Sequence, residues 1–268
     1  MKTIILKIGG SCLTYKKEGI AKIRQPFLND VSRAIYDLLK LKKINLIIVH
    51  GGGSITHPLL DKYQVAKKLK SGQIRTKKDQ LAAAKIHWAM NDLNKKVVKK
   101  FLDDGIPAWP MQTSALFSAK DEKNKNLTLE TIKIAMEKGY VPVLHGDLVL
   151  NHSRGSSICS GDYVATMLAE KTNADVILFA SDVDGVFSAD PNESRDVKIV
   201  KLIDAEDYEK YFQNKAVQRD HSGGMKSKID SVKQNCKNIE AFIFNGLKKG
   251  NSKKAFLGHC VGTRIKFQ

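Results

Sequence analysis

The chain has 268 residues, 42% of them hydrophobic and 27% charged, the composition of a folded globular protein long enough to bury a substantial core. No stretch approaches the roughly 20 uninterrupted apolar residues of a membrane span, and the start, Met1-Lys2-Thr3-Ile4-Ile5-Leu6-Lys7, lacks a signal-peptide hydrophobic region, so a cytoplasmic protein is expected. Cys12, Cys159, Cys236 and Cys260 form no CxxC pair and predict neither a zinc site nor a disulfide framework, while the net charge of +17 is spread over short lysine pairs such as Lys95-Lys96 and Lys253-Lys254, which read as solvated faces and not as one nucleic-acid-binding block.

Apolar runs bounded by glycine or polar turns alternate with longer amphipathic segments, which predicts an α/β fold: an open, mostly parallel sheet sandwiched by helices. The first predicted strand, residues 3–8, ends in Lys7-Ile8-Gly9-Gly10-Ser11. Glycines there let backbone amides approach an anion, with Lys7 as a cation beside them; a tight turn with a solvated lysine accounts for the segment equally well. The G-x-x-x-x-G-K-[ST] spacing of a P-loop is absent. A helical pattern at 28–41 is followed by a strand at 44–50 that runs into Gly51-Gly52-Gly53-Ser54-Ile55-Thr56-His57-Pro58. Three successive glycines cost backbone entropy, and an anion nest entering a helix accounts for them better than a plain turn. His57 lies near the start of that helix, within reach of a phosphate held by the glycine amides.

The next helical pattern, 81–102, is long, with Leu81, Ala84, Trp88, Leu93, Val97 and Phe101 read as one apolar stripe. A helix at 129–138 and a strand at 141–145 lead to a short strand at 148–150 and a β-hairpin turn at Asn151-His152-Ser153-Arg154-Gly155. Ile158-Cys159-Ser160-Gly161-Asp162 precedes a helical pattern at 163–171, where the commonest role for Asp162 is to cap the helix. A strand at 175–180 ends in Ser181-Asp182-Val183-Asp184-Gly185-Val186, whose acids suit magnesium, a ribose, a lysine or an Asx turn. Ser222-Gly223-Gly224-Met225 opens a helix at 226–236 that carries Lys228, and a last strand is predicted at 241–244. The glycine-bearing segments at the strand ends fall where an open α/β sheet binds ligands. No repeat or linker divides the chain, so a single domain spanning 1–268 is expected.

In this order and spacing the segments resemble the amino acid kinase superfamily, from Leu6 to about Lys228: K-x-G-G-S, a glycine-rich H-G-G-G turn, S-G-D, T/S-D-V-D-G-V and a late G-G-M-x-x-K. Within it they are most similar to the isopentenyl phosphate kinases. Residues 50–58 look like their H-G-G-G-[SA]-F-G-H-P, 141–147 like V-P-V-x-x-G-D, 220–229 like D-V-T-G-G-M-x-x-K-I, and 261–265 like a closing G-T-x-I. Ile55-Thr56 stands where these kinases have Phe-Gly, and His221-Ser222 where they have Val-Thr.

The resemblance implies ATP-dependent phosphorylation of a prenyl phosphate, isopentenyl phosphate, on the amino acid kinase fold. An acceptor-binding lobe would cover about 1–145 and a nucleotide-binding lobe about 146–268. It implies that Lys7, Gly9, Gly10 and Ser11 face the ATP phosphates, with Gly53, Asp182, Gly223 and Lys228 also in the nucleotide site. Lys16, with Lys17 as its rival, would stabilise the moving phosphoryl group. Gly52, Gly53, His57 and Gly161 would hold the acceptor phosphate, Asp162 would orient the lysines, and a pocket around Ile86, Trp88 and Met90 would take the tail. Magnesium would bridge the ATP phosphates without a dedicated protein metal site. A homodimer is implied, and neither a membrane nor a nucleic acid as partner. A fosfomycin kinase shares the histidine after the glycine turn, and a non-catalytic nucleic-acid-binding or regulatory protein on the same fold would suit the net charge; the sequence leaves both open.

Overall fold

A computed structural model describes residues 1–16, 18–64, 76–121, 125–189, 197–213, 224–259 and 262–267. At its centre is an eight-stranded sheet. From edge to edge the strands are Leu202–Ile203, Gly262–Ile265, Glu240–Asn245, Val176–Ser181, Lys2–Ile8, Ile44–His50, Val141–His145 and Ala108–Pro110. All pairings are parallel except that between Glu240–Asn245 and Gly262–Ile265.

The central strands are apolar at nearly every position because both faces of the sheet are covered. Ile5, Ile47, Leu144, Ile177 and Ile243 point to one side. There they meet Ile132 of helix Glu130–Glu137, Val164 and Leu168 of helix Gly161–Lys171, and Ile229 and Val232 of helix Gly224–Asn235. Ile4, Leu6, Ile48, Val143 and Leu178 point to the other, against helices Gln25–Leu41, Lys77–Asp103 and Asn251–Phe256. This is the helix-sandwiched, mostly parallel sheet that the sequence predicts. The hairpin excursion is present too: Asp147–Asn151 pairs antiparallel with Gly155–Cys159 in a small four-stranded sheet. Among the described residues no helix is long and apolar enough to cross a membrane.

The long helix corrects the predicted stripe. Leu81 and Trp88 are 57% and 71% exposed, whereas Ala82, Ile86, Met90, Leu93, Val97 and Phe101 are buried. At 100° per residue, Trp88 sits about 200° from Ile86 and from Met90, so it faces away from the apolar side they share.

Register places the strand ends in line. Ile8 lies opposite both Ala180 and His50, and His50 opposite His145. The first amide beyond each strand then bonds sideways to its neighbour: Gly9 N to Ala180 O at 2.8 Å, Gly51 N to Ile8 O at 3.0 Å, and Gly146 N to His50 O at 2.9 Å. Three glycine loops are thereby stapled along the C-terminal end of the sheet.

Candidate active site

Two of these loops touch. Gly10 and Gly53 approach so closely that a Cβ on Gly10 would run into the Gly53 amide, and Gly53 adopts φ +52°, a conformation that favours glycine. Thr14 locks the contact, donating its hydroxyl to Gly10 O at 2.8 Å and accepting from Ser54 N at 2.9 Å. The backbone beyond is left open. The amides of Gly10, Ser11, Gly52 and Gly53 find no acceptor among the described residues, and all four residues line one cleft of about 810 Å³. Unpaired amides at helix starts form an anion seat.

Cations surround it. Lys7 and Lys228 each place Nζ at 2.8 Å from the same Asp162 oxygen, with side chains only 9% exposed and Asp162 15% exposed. Burial disfavours the charged Asp162, but Lys228 and Lys7 overcome it and lower its pKa to about 2. One carboxylate cannot fully serve two ammoniums. Burial, with Lys7 adding repulsion, outweighs Asp162 and lowers Lys228 to about 8. Asp162 is not the helix cap that a lone acid at that position suggests. Ser160 takes that role, accepting from Tyr163 N at 3.1 Å, which leaves Asp162 to the lysines.

Lys16 lies in the turn of the ribbon formed by Thr14–Tyr15 and Ile20–Ile23 and lines the same cleft, as does His57. Partial burial, then the charges of Lys16 and Lys7, push the His57 pKa down despite Asp61, so the ring is neutral at pH 7 and offers one N–H. Beneath the loops, burial lowers His50 to about 4 and His145 to about 3. These two add no charge at pH 7, and His50 Nε2 is tied to Asn94 at 3.1 Å. Cys159 also lines the cleft, but burial raises its thiol to about 12, which rules it out as a thiolate nucleophile.

Apart from Trp88, every predicted site residue among those described lines this one cleft: Lys7, Gly9, Gly10, Ser11, Lys16, Gly52, Gly53, His57, Ile86, Met90, Gly161, Asp162, Asp182 and Lys228. Gly223 and Lys17 lie outside the described residues. Asp182 accepts from Ser11 Oγ at 2.8 Å. Its neighbour Asp184 is drawn instead to Lys248 at 2.7 Å and Asn245 at 3.0 Å.

The other end of the cleft is apolar. Ile86 and Met90 share it with Leu60, Leu148 and Ile158, which sequence reasoning missed, and Trp88, placed there by the resemblance, is turned to solvent. Leu148 and Ile158 are cross-strand partners in the hairpin, a pairing the turn signal contained.

The family model described as "Amino acid kinase family" matches residues 2–245. The chain belongs to the amino acid kinase family. Among relatives, this kinase is 35% identical to the isopentenyl phosphate kinase of Methanocaldococcus jannaschii, with 98% of each chain covered. It is 30% identical to that of Methanothermobacter thermautotrophicus, again over 98% of each. A solved structure titled for isopentenyl phosphate kinase superposes with a TM-score of 0.82 at 28% identity, covering 98% of this chain and 100% of the other.

Proposed function

We propose that this kinase transfers the γ-phosphoryl group of ATP to isopentenyl phosphate, giving isopentenyl diphosphate and ADP. The observation that carries the reading is the two-ended cleft: a seat of open amides and lysines runs directly into a pocket walled by Leu60, Ile86, Met90, Leu148 and Ile158. A molecule with an anionic head and a hydrocarbon tail fits both ends at once. An amino acid would need its own charged groups met at the tail end, where the walls named are apolar.

An acceptor phosphate oxygen attacks the γ-phosphorus, the bond to the β–γ bridging oxygen breaks, and ADP carries away the released electron pair. A phosphate monoester has its second pKa near 6, so the nucleophile is already ionised and needs no strong base. The protein's contribution is positioning and charge. Lys7, Lys228, Gly9, Gly10 and Ser11 hold the nucleotide phosphates, with Gly53 and Asp182 beside them. Lys16 covers the moving group, and Gly52, Gly53, Gly161 and His57 hold the acceptor phosphate. Asp162 keeps the two buried ammoniums in place. Magnesium, when bound, would be held mainly by the nucleotide phosphates and would offset their charge, since the seat is made of ammoniums and amides and the cleft carboxylates Asp147, Asp162 and Asp182 are engaged by His87, by Lys7 and Lys228, and by Ser11. The acceptor lobe at about 1–145 and the nucleotide lobe at about 146–268 then face each other across the cleft. On the same reading the enzyme works in the cytoplasm as a homodimer, in isoprenoid precursor synthesis by a mevalonate pathway.

Turnover of isopentenyl phosphate, fosfomycin and N-acetylglutamate with ATP, followed by ³¹P NMR, tests the reading. Diphosphate signals should appear with isopentenyl phosphate alone. Turnover of either other acceptor, with none of isopentenyl phosphate, would overturn it.

A further inference from the structure

Thr56 lies on the first turn of the helix Gly53–Lys62, next to His57. It is 5% exposed and lines the cleft. Threonines in a helix or at its C-cap commonly return the hydroxyl to the carbonyl four residues back, as the C-caps Thr14 and Thr172 do to Gly10 O at 2.8 Å and to Leu168 O at 2.7 Å. Thr56 does not. Its hydroxyl has no hydrogen-bond partner among the described residues, yet it is not sealed in: it opens onto the cleft.

Its place is set by Gly52. A Cβ built there would overlap the Thr56 hydroxyl and come within 2.7 Å of the Met90 sulfur. The hydroxyl and the thioether therefore lie side by side against one face of Gly52, where the open amides give way to the apolar pocket. A largely buried hydroxyl without a partner is unfavourable unless something else completes it. The cleft that Thr56 lines can supply that partner. With the tail of the acceptor against Met90 and Ile86 and its phosphate at the Gly52 and Gly53 amides, the atoms at this seam are the C–O–P linkage.

We infer that Thr56 Oγ1 is a ligand of the acceptor, donating a hydrogen bond to an oxygen of its phosphate ester and fixing how deep the tail enters. The inference rests on the proposed function for the identity of the tail, and only on an alkyl phosphate for the head.

The test uses Thr56→Val, which keeps the shape and removes the hydroxyl, and Thr56→Ser, which keeps the hydroxyl. Calorimetry measures binding of n-butyl phosphate and of ATP, and steady-state rates give KM for isopentenyl phosphate. Butyl phosphate should bind tenfold or more weakly to Thr56→Val and within threefold of wild type to Thr56→Ser, with ATP affinity equal in all three. KM for isopentenyl phosphate should rise in step. Equal binding by Thr56→Val and wild type overturns the inference; so does equal weakening in both variants, which would make the role one of packing. No binding of butyl phosphate to wild type also overturns it. If Thr56→Val does not fold, the Thr56→Ser and Thr56→Ala pair, differing only in the hydroxyl, carries the same comparison. Hydroxyl-dependent binding of butyl phosphate, without wild-type turnover of isopentenyl phosphate, would sustain Thr56 and sink the proposed substrate.

Discussion

Replacing Asp162 with Asn leaves two buried ammoniums with no anion between them. Both bond one carboxylate oxygen at 2.8 Å, so they lie within twice that distance of each other. At a separation of about 5 Å and an effective dielectric of about 20, their repulsion is about 3 kcal/mol. Breaking a buried ion pair by removing one partner typically costs about 3–5 kcal/mol. Part of that is relieved here, because Lys228, already lowered to about 8 by burial with Asp162 present, is pushed lower still and sheds its proton more readily once the carboxylate is gone. A net loss of about 2–4 kcal/mol follows, or a fall in Tm of roughly 4–16 °C at about 2–4 °C per kcal/mol for a chain of this size. One cation fewer should also weaken ATP binding by about tenfold or more, an effect of about 1.4 kcal/mol. The linkage sign is fixed by the depressed carboxylate. Asp162 titrates at about 2 when folded against 3.8 as its ordinary value, so its contribution, about 2 kcal/mol, is complete above pH 4 and fades on acidification toward pH 2. Wild type should lose that increment between pH 4 and 2, and Asp162→Asn should not. Thermal melts across pH and ATP titration calorimetry check this. A Tm within 2 °C of wild type at pH 7, with unchanged ATP affinity, would refute the shared-carboxylate account.

Because Lys228 titrates at about 8 in the free protein, ATP affinity should be flat from pH 6.5 to 7.5 and then fall as pH rises through 8 and the ammonium is lost; calorimetry in buffers up to pH 9.5 reads this, and Lys228→Met should flatten the slope. His57→Ala should lower turnover by about 10²-fold, the scale of one lost transition-state donor, with ATP binding unchanged, and an NMR titration of the wild-type ring should show a midpoint below the ordinary histidine value of 6.5. Ile86→Ala and Met90→Ala should each raise kcat/KM for geranyl relative to isopentenyl phosphate, since one methylene in such a pocket is worth about 1–3 kcal/mol. Both side chains are also buried, so Tm should fall with them; an unchanged ratio would remove them from the pocket.

The strand ends and their glycine loops were legible because parallel, two-sided burial writes continuous apolar runs, and loops that touch, such as Gly10 on Gly53, require glycine. The long helix was misread for a physical reason. Leu81, Ala84 and Trp88 follow one helical face, but continued by steps of three and four that face meets Asn91, Lys95 and Lys99. Counting back from Phe101 through Val97, Leu93, Met90 and Ile86 gives the buried face without interruption. Asp162 posed a different difficulty: cap and ion-pair partner look alike in sequence, and only the rival Ser160, two residues earlier, distinguishes them. Leu60 could not be read at all, because which side of a short, proline-containing helix faces a cleft depends on how the helix is docked.

The net charge of +17 does not describe the site. On the long helix Lys96, Lys99 and Lys100 pair with Asp92, Asp103 and Asp104 one turn away, in exposed or half-buried contacts each worth a few tenths of a kcal/mol. Among the described residues four lysines line the cleft; Lys226 is held by Asp230 and the Tyr208 hydroxyl, and the other three differ in setting. Lys7 and Lys228 are buried, where an unpaired charge is costly, and a single carboxylate serves both. That arrangement holds more positive charge than its own anion can satisfy; on the proposed function a bound polyphosphate would supply what the fold leaves out. Lys16, on a ribbon turn, has no carboxylate partner among the described residues, which suits the role proposed for it of following the group that moves. A fold selected for stability alone would have balanced Lys7 and Lys228 with two acids; on the proposed function, keeping only Asp162 would leave the empty cleft short of an anion that the nucleotide brings.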